Sequence, residues 1–204
     1  ALITLKLLSV SLIIGLFIGL FFAILRLNKN IFINKFAYGY SYIFRGTPLL
    51  VQIFIIYFGL GQIEYLRSTV LWVILKEPYW CAIIAFALNT GAYTSEILRS
   101  AFQTIKPGIL EAGKSLGISN KIILPQTLRL AIPNLSNVWQ ITLKDTSLIS
   151  VTGLVEIMRQ SYIAAGSTRD PLFFYSFAAV LYLLLTFVSM KLINRLEVKY
   201  SRGY

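Results

Sequence analysis

Apolar residues along this chain gather into long runs separated by short polar stretches, the pattern of helices that cross a lipid bilayer. Crossing the hydrocarbon layer takes about 20 apolar residues. The first run covers residues 2–27 and sets Gly15 and Gly19 four positions apart, a spacing that lets a second helix approach closely. A polar stretch from Arg26 to Lys35 follows. The second run, over 47–60, has Thr47 placed to cap a helix and Pro48 suited to its first turn. Further spans are predicted at 79–98, 130–154 and 172–196. The fourth of the five is the least apolar. It carries Asn134, Asn137, Gln140, Lys144 and Asp145, so it is expected to face protein or water. The pattern predicts an all-α integral membrane protein of five transmembrane helices, forming a single domain over 1–204.

Residues 99–129 form the longest segment between spans. Apolar positions recur there at helical spacing, and Pro107, Gly108, Gly117 and Pro125 divide it into short pieces. A short amphipathic helix of this kind either lies in the membrane interface or docks into a groove on a soluble partner, and composition does not separate the two. Gly108 to Ser115 also matches the phosphate-loop pattern letter for letter. That loop works when a strand delivers it and a helix N-terminus receives the phosphates. Here a membrane helix and Pro107 precede it, and about thirty residues are too few for a nucleotide-binding domain. The match is accidental.

Composition strengthens the membrane reading. Of 204 residues, 57% are hydrophobic and 13% charged, and the mean hydropathy is +0.73. A soluble domain carries about a quarter charged residues. The net charge of +11 would suggest nucleic acid in a soluble protein, but no basic stripe interleaved with exposed aromatics appears. The excess belongs instead to loops. Thirteen of the basic residues fall on one side of the predicted bundle, at 26–45, 99–129 and the tail; Lys6, Arg67, Lys76, Arg159 and Arg169 fall on the other. By the positive-inside rule the first group is cytoplasmic, the N-terminus outside and the C-terminus inside. With no histidine, the usual zinc sites and His-based triads are absent. Cys81, the single cysteine, reads as a small buried hydrophobe. The opening apolar run is too long for a signal-peptide core.

Several stretches carry a family resemblance. Glu111-Ala112-Gly113, then Gly117, then Ile123-Leu124-Pro125 resembles the cytoplasmic "EAA" signature of bacterial ABC-importer permeases. FRGTPLLVQIFIIYFGL (Phe44 to Leu60), GAYTSEILRSAFQTI (Gly91 to Ile105) and LKDTSLISVTGL (Leu143 to Leu154) resemble the polar amino-acid branch, in the expected order along nearly the whole chain. The resemblance implies the type I ABC importer permease fold in a bacterial inner membrane. It also implies two permease subunits, identical or related, around the pore, and a solute-binding protein outside that delivers an amino acid. Two cytoplasmic ATP-binding subunits would hold the ATP and magnesium, leaving this chain without cofactor or catalytic residue. Glu111, Ala112, Gly113, Gly117, Leu124 and Pro125 would then form the segment coupled to the ATPase, with Glu111 near the contact. Two departures stand out. Gly113 replaces the second Ala of the signature, and Gly117 and Pro125 are eight positions apart, closer than the family commonly sets them. TRDPLFF (Thr168 to Phe174) and the preceding KDTSLIS look closest to permeases for arginine, lysine, histidine and ornithine; glutamine-type permeases share the KDTSL portion, so glutamine or another polar amino acid is the alternative.

Lys144, Asp145, Thr146 and Ser147 are the candidate substrate path, since an ionisable residue at membrane depth costs about 2.5–3.5 kcal/mol and so marks either a path or a pairing. The pairing alternative is a bridge from Lys144 to Glu96 and from Asp145 to an Arg. Glu96 and Arg99 suit a local ion pair, and Arg45-Gly46-Thr47-Pro48 a structural entry turn with Arg45 at headgroup level. Two rival classes remain. An intramembrane enzyme would need convergent acids, bases or metal ligands, and this chain has no histidine and few carboxylates at membrane depth. A stand-alone channel or secondary carrier is the other, although carriers usually show an internal repeat.

Overall fold

In the computed structural model, which describes residues 1–115 and 117–201 and so leaves the tail residue Arg202 outside, every regular element is helical. Helix α1 (Leu2–Arg26) is unbroken. Asn30 starts α2 (Ile31–Gly46) by accepting a hydrogen bond from the Phe32 amide at 2.9 Å. Pro48 then ends α2, because the residue before a proline is driven out of the helical region; Thr47 sits at ψ 143°. The chain resumes as α3 (Leu49–Phe54), a π-turn (Ile55–Gly59) and a 3-10 turn (Leu60–Gln62), at 102° to α2.

The second span therefore differs from the sequence reading. Thr47 closes α2, its hydroxyl donating to the Ile43 carbonyl at 2.8 Å, and Pro48 stands just before α3. The stretch from Arg26 to Lys35 read as polar connection is helical from Ile31.

Short helices α4 (Glu64–Arg67) and α5 (Trp72–Leu75) lead to α6 (Pro78–Gln103), which has proline in its first turn. Helix α7 (Pro107–Ser115) precedes α8 (Ser119–Asp145). The helix expected over 130–154 thus begins at Ser119 and stops at Asp145, giving way to a 3-10 turn (Thr146–Thr152) and to Gly153 at φ +89°. Hydropathy marks where lipid begins, whereas α8 continues past that point through polar residues, with Pro125 and Pro133 inside it. Glu156 caps α9 (Ile157–Thr168), accepting from the amides of Met158 and Arg159 at 2.8 and 2.7 Å. Its carboxylate also accepts from the Tyr182 hydroxyl of α10 (Pro171–Ser201). Within the TRDPLFF stretch, Arg169 closes α9 in the left-handed region and Asp170 caps α10.

Helix α6 is the axis of the bundle. Of its most apolar window 72% is buried, against 6% for α10. Helices α1 and α6 lie side by side and parallel: a Cβ on Gly19 would meet Thr94 at 2.5 Å, and one on Gly15 would overlap the Thr90 hydroxyl. Parallel neighbours require the intervening chain, 31–77, to return along the bundle, and both α2 and the bent segment after it pack on α6. Tyr40 donates to the Leu88 carbonyl at 2.7 Å, and Ser41 and Ser95 share a bond of 2.8 Å. Such interhelical bonds contribute only about 0.6 kcal/mol each in lipid. Close backbone approach at the glycines does more to hold α1 on α6. Helix α8 runs antiparallel to α6, with Ala131 packed beside Ala23, Leu98 and Ala101 in one core cluster. A larger cluster, around Leu7, Ile53, Phe86 and Ile149, fills the other end. Among the described residues three helices are long and apolar enough to cross a membrane, or four if α2 and the bent segment after it count as one.

Candidate functional site

The break between α2 and α3 builds the site. In an unbroken helix the Phe44 carbonyl would accept from the amide of residue 48, but proline has none. Two side-chain amides replace it. Gln52 Nε2 and Asn89 Nδ2 each donate to the Phe44 carbonyl at 2.8 Å, and Asn89 also donates to Gln52 Oε1 at 3.3 Å. Gln52 Nε2 reaches the Thr47 carbonyl as well, at 3.0 Å. The bend is thus fixed by residues of α3 and α6, and Gly46 to Leu49 become one wall of a cavity of about 300 Å³. Its other walls are α6, with Asn89, Thr90 and Tyr93, and the last turns of α8, with Thr142 and Asp145.

Of the four path candidates, Asp145 lines this cavity, half-buried at the end of α8. Lys144 points elsewhere and is exposed. Thr146 is buried and its hydroxyl donates to the Leu143 carbonyl at 2.6 Å; the Ser147 hydroxyl donates to the Lys144 carbonyl at 2.8 Å. Among the described residues no ion pair reaches Lys144 or Asp145. Glu96 is taken instead by three arginines: Arg99 through a hydrogen-bonded pair, Arg26 at 3.5 Å and Arg45 at 3.9 Å. The Lys144–Glu96 bridge weighed from sequence is not formed. Arg45, read from sequence as part of an entry turn, has its guanidinium 5.4 Å from the Tyr93 ring centre and lines the cavity. Sequence reasoning missed Arg45, Gln52 and Asn89 as members of the site. The one usable signal was the Arg-Gly-Thr-Pro break, which frees a carbonyl that something must satisfy.

At the other end of α8 lies the coupling candidate. Glu111 and Ala112 are exposed on α7, Gly113 is buried, and Leu124 and Pro125 are exposed on α8. Gly117 has φ +67°, and the Ile118 amide donates to the Gly113 carbonyl at 3.0 Å. This six-to-one bond with a left-handed glycine between its ends is the Schellman helix stop. The phosphate-loop match falls inside α7, a helix that no strand precedes.

Comparison with known proteins agrees with this arrangement. Residues 15–202 match the family described as the binding-protein-dependent transport system inner membrane component. The chain is similar to a nopaline transport system permease protein of Agrobacterium fabrum, 40% identical over 200 residues that cover 95% of this chain and 83% of that one. It is likewise similar to an arginine ABC transporter permease protein of Haemophilus influenzae, 36% identical over 208 residues, covering 99% and 92%. A crystal structure of an amino acid ABC transporter with histidines superposes with a TM-score of 0.86 at 31% identity, covering 98% of this chain and 91% of that one.

Proposed function

Since this chain belongs to the family of binding-protein-dependent transport system inner membrane components and is a permease subunit of an amino-acid ABC importer, we propose that its cargo is a cationic amino acid that passes the cavity at Asp145. Membership places it in the inner membrane, with ATP hydrolysis in separate subunits and a solute-binding protein as supplier. The observation that carries the cargo reading is Asp145 itself, a carboxylate on the cavity wall with no ion pair among the described residues. An unpaired carboxylate at membrane depth is costly unless a cation meets it there. A guanidinium or ammonium side chain supplies that cation, in keeping with the relative named for arginine.

The topology proposed is five crossings. It is supported by the parallel pair α1 and α6, the return of the chain through α2 and the bent segment, antiparallel α8, and α10 folding back beside α8. Basic residues then gather on the cytoplasmic face with α7. Two such chains, identical or related, form the pore, and each α7 docks into an ATP-binding subunit with Glu111 at the contact. Exposure of Glu111 and Ala112 on a short helix packed chiefly on α8 supports this, because motion of α7 passes along α8 to Asp145.

The test is Asp145→Asn in the complete transporter reconstituted with its ATP-binding subunits and binding protein. ATP-driven arginine and lysine uptake is expected to fall by about tenfold or more, each factor of ten being about 1.4 kcal/mol of lost attraction. Unchanged uptake removes Asp145 from the path. Preferred uptake of glutamine by the unaltered complex would replace the cationic reading with the neutral one.

A further inference from the structure

Arg45 has neighbours on three sides that the cargo reading does not use. It lines the cavity at Asp145, and it also lines a second cavity, of about 390 Å³, that continues along the groove between α6 and α8. The second cavity takes Glu96 and Ser100 from α6, Thr104 just past its end, and Leu130 and Asn134 from α8. The first takes residues 86–93 of α6 and 138–145 of α8. Because these helices are antiparallel, the two cavities follow one another along a single groove. Arg45 and Tyr93 are the two residues common to both, and the Arg45 guanidinium lies over the Tyr93 ring at 5.4 Å from its centre.

We propose that the Arg45 guanidinium, set over Tyr93, is the inner barrier of the transport path, and that it opens by swinging toward Glu96 into a third cavity beside α2. That third cavity, of about 320 Å³, is bounded by Arg45 and Glu96 and by the tyrosines Tyr38 and Tyr42. It offers the displaced guanidinium a carboxylate and two aromatic side chains. Of the three arginines at Glu96, Arg45 is the loosest. It has the longest contact, 3.9 Å, and its side chain is 40% exposed, against 11% for Arg26. One cation–π contact and one long ion pair are each weak at such a site, so they hold the side chain in place without locking it. A fixed positive charge at this point repels small cations while the path is shut. When Arg45 moves aside, the first and second cavities join, and a cargo at Asp145 has an open way along the groove toward Ser100 and Thr104.

This inference rests on the cargo reading for its purpose, but the barrier can be measured without cargo. The complete transporter is placed in inside-out membrane vesicles in a Cys81→Ala background, with a single cysteine introduced by Ser100→Cys in the second cavity or Thr142→Cys in the first. A membrane-impermeant thiosulfonate is applied from the α7 face. With Arg45 present, Ser100→Cys is expected to react about tenfold faster than Thr142→Cys or more. Arg45→Ala should raise the Thr142→Cys rate by about tenfold and leave the Ser100→Cys rate unchanged, which also shows that the fold survives. Arg45→Lys, which keeps a cation over the ring, should retain most of the barrier. A Thr142→Cys rate that ignores Arg45→Ala, or equals that of Ser100→Cys with Arg45 in place, overturns the proposal. Failure of Ser100→Cys to react from this face overturns the inner position given to the second cavity and the orientation with it. The Asp145→Asn uptake result bears on the cargo reading alone.

Discussion

Asp145 and Glu96 are both carboxylates on helices of this bundle, yet their surroundings give them different tasks. Three arginines surround Glu96, whereas Asp145 faces an open cavity without an ion pair among the described residues. The first is held in a charge cluster, and the second is the carboxylate proposed to meet the cargo. Sequence could not separate them, because Arg26 and Arg45 lie 70 and 51 positions before Glu96 and only folding brings them to it. The glycine pair of α1 was legible, since a four-residue spacing of small side chains has a direct meaning in lipid. It supports a prediction. A Cβ at Gly19 would lie 2.5 Å from Thr94 and 3.0 Å from the Gly91 carbonyl, so Gly19→Val should destabilise by about 1–3 kcal/mol through overpacking. At Gly39 nothing lies within 4 Å of a Cβ, and Gly39→Ala should gain up to about 1 kcal/mol from helix propensity. Thermal unfolding of the purified transporter checks both, and equal effects at the two sites would contradict the packing of α1 on α6.

At the scale of elements, the long apolar helices were visible and the polar ones were not. Helix α2 escaped notice because Asn34, Lys35 and several tyrosines dilute its apolar character, although Asn30 is a serviceable cap signal. The start of α8 was misplaced by eleven residues for the same reason, since 119–129 are helical without being apolar. The turn between α7 and α8 was legible in Gly117 as a break between short helical pieces, and the structure gives its physical cause. Gly117 occupies the left-handed region at φ +67°. Gly117→Ala should therefore cost about 1–2 kcal/mol, lowering the unfolding temperature and weakening retention of the ATP-binding subunits. Gly108→Ala, at a position where a Cβ meets nothing within 4 Å, should do neither. Unchanged retention in Gly117→Ala would mean that the set of this turn does not govern docking.

For the whole molecule, the membrane class followed from composition alone, while the route through it did not. Cavities arise where helices break and cross, and the bend of 102° at Thr47-Pro48 depends on Asn89 from a helix far along the chain. The resulting picture is a rigid core of α1 and α6 carrying a groove on its α8 side. Asp145 stands toward one end of that groove, Arg45 over Tyr93 at its middle as the proposed gate, and the short exposed helix α7 beyond its other end. The central claim is that energy from separate ATP-binding subunits drives a cationic amino acid through this groove. The most direct measurement is uptake of radiolabelled arginine into proteoliposomes holding the purified complex, with binding protein on the outside and ATP enclosed. The account predicts uptake that requires both ATP and binding protein and that excess lysine, but not glutamine, suppresses. Arginine accumulation that proceeds without ATP, or that glutamine suppresses as well as lysine does, would contradict it.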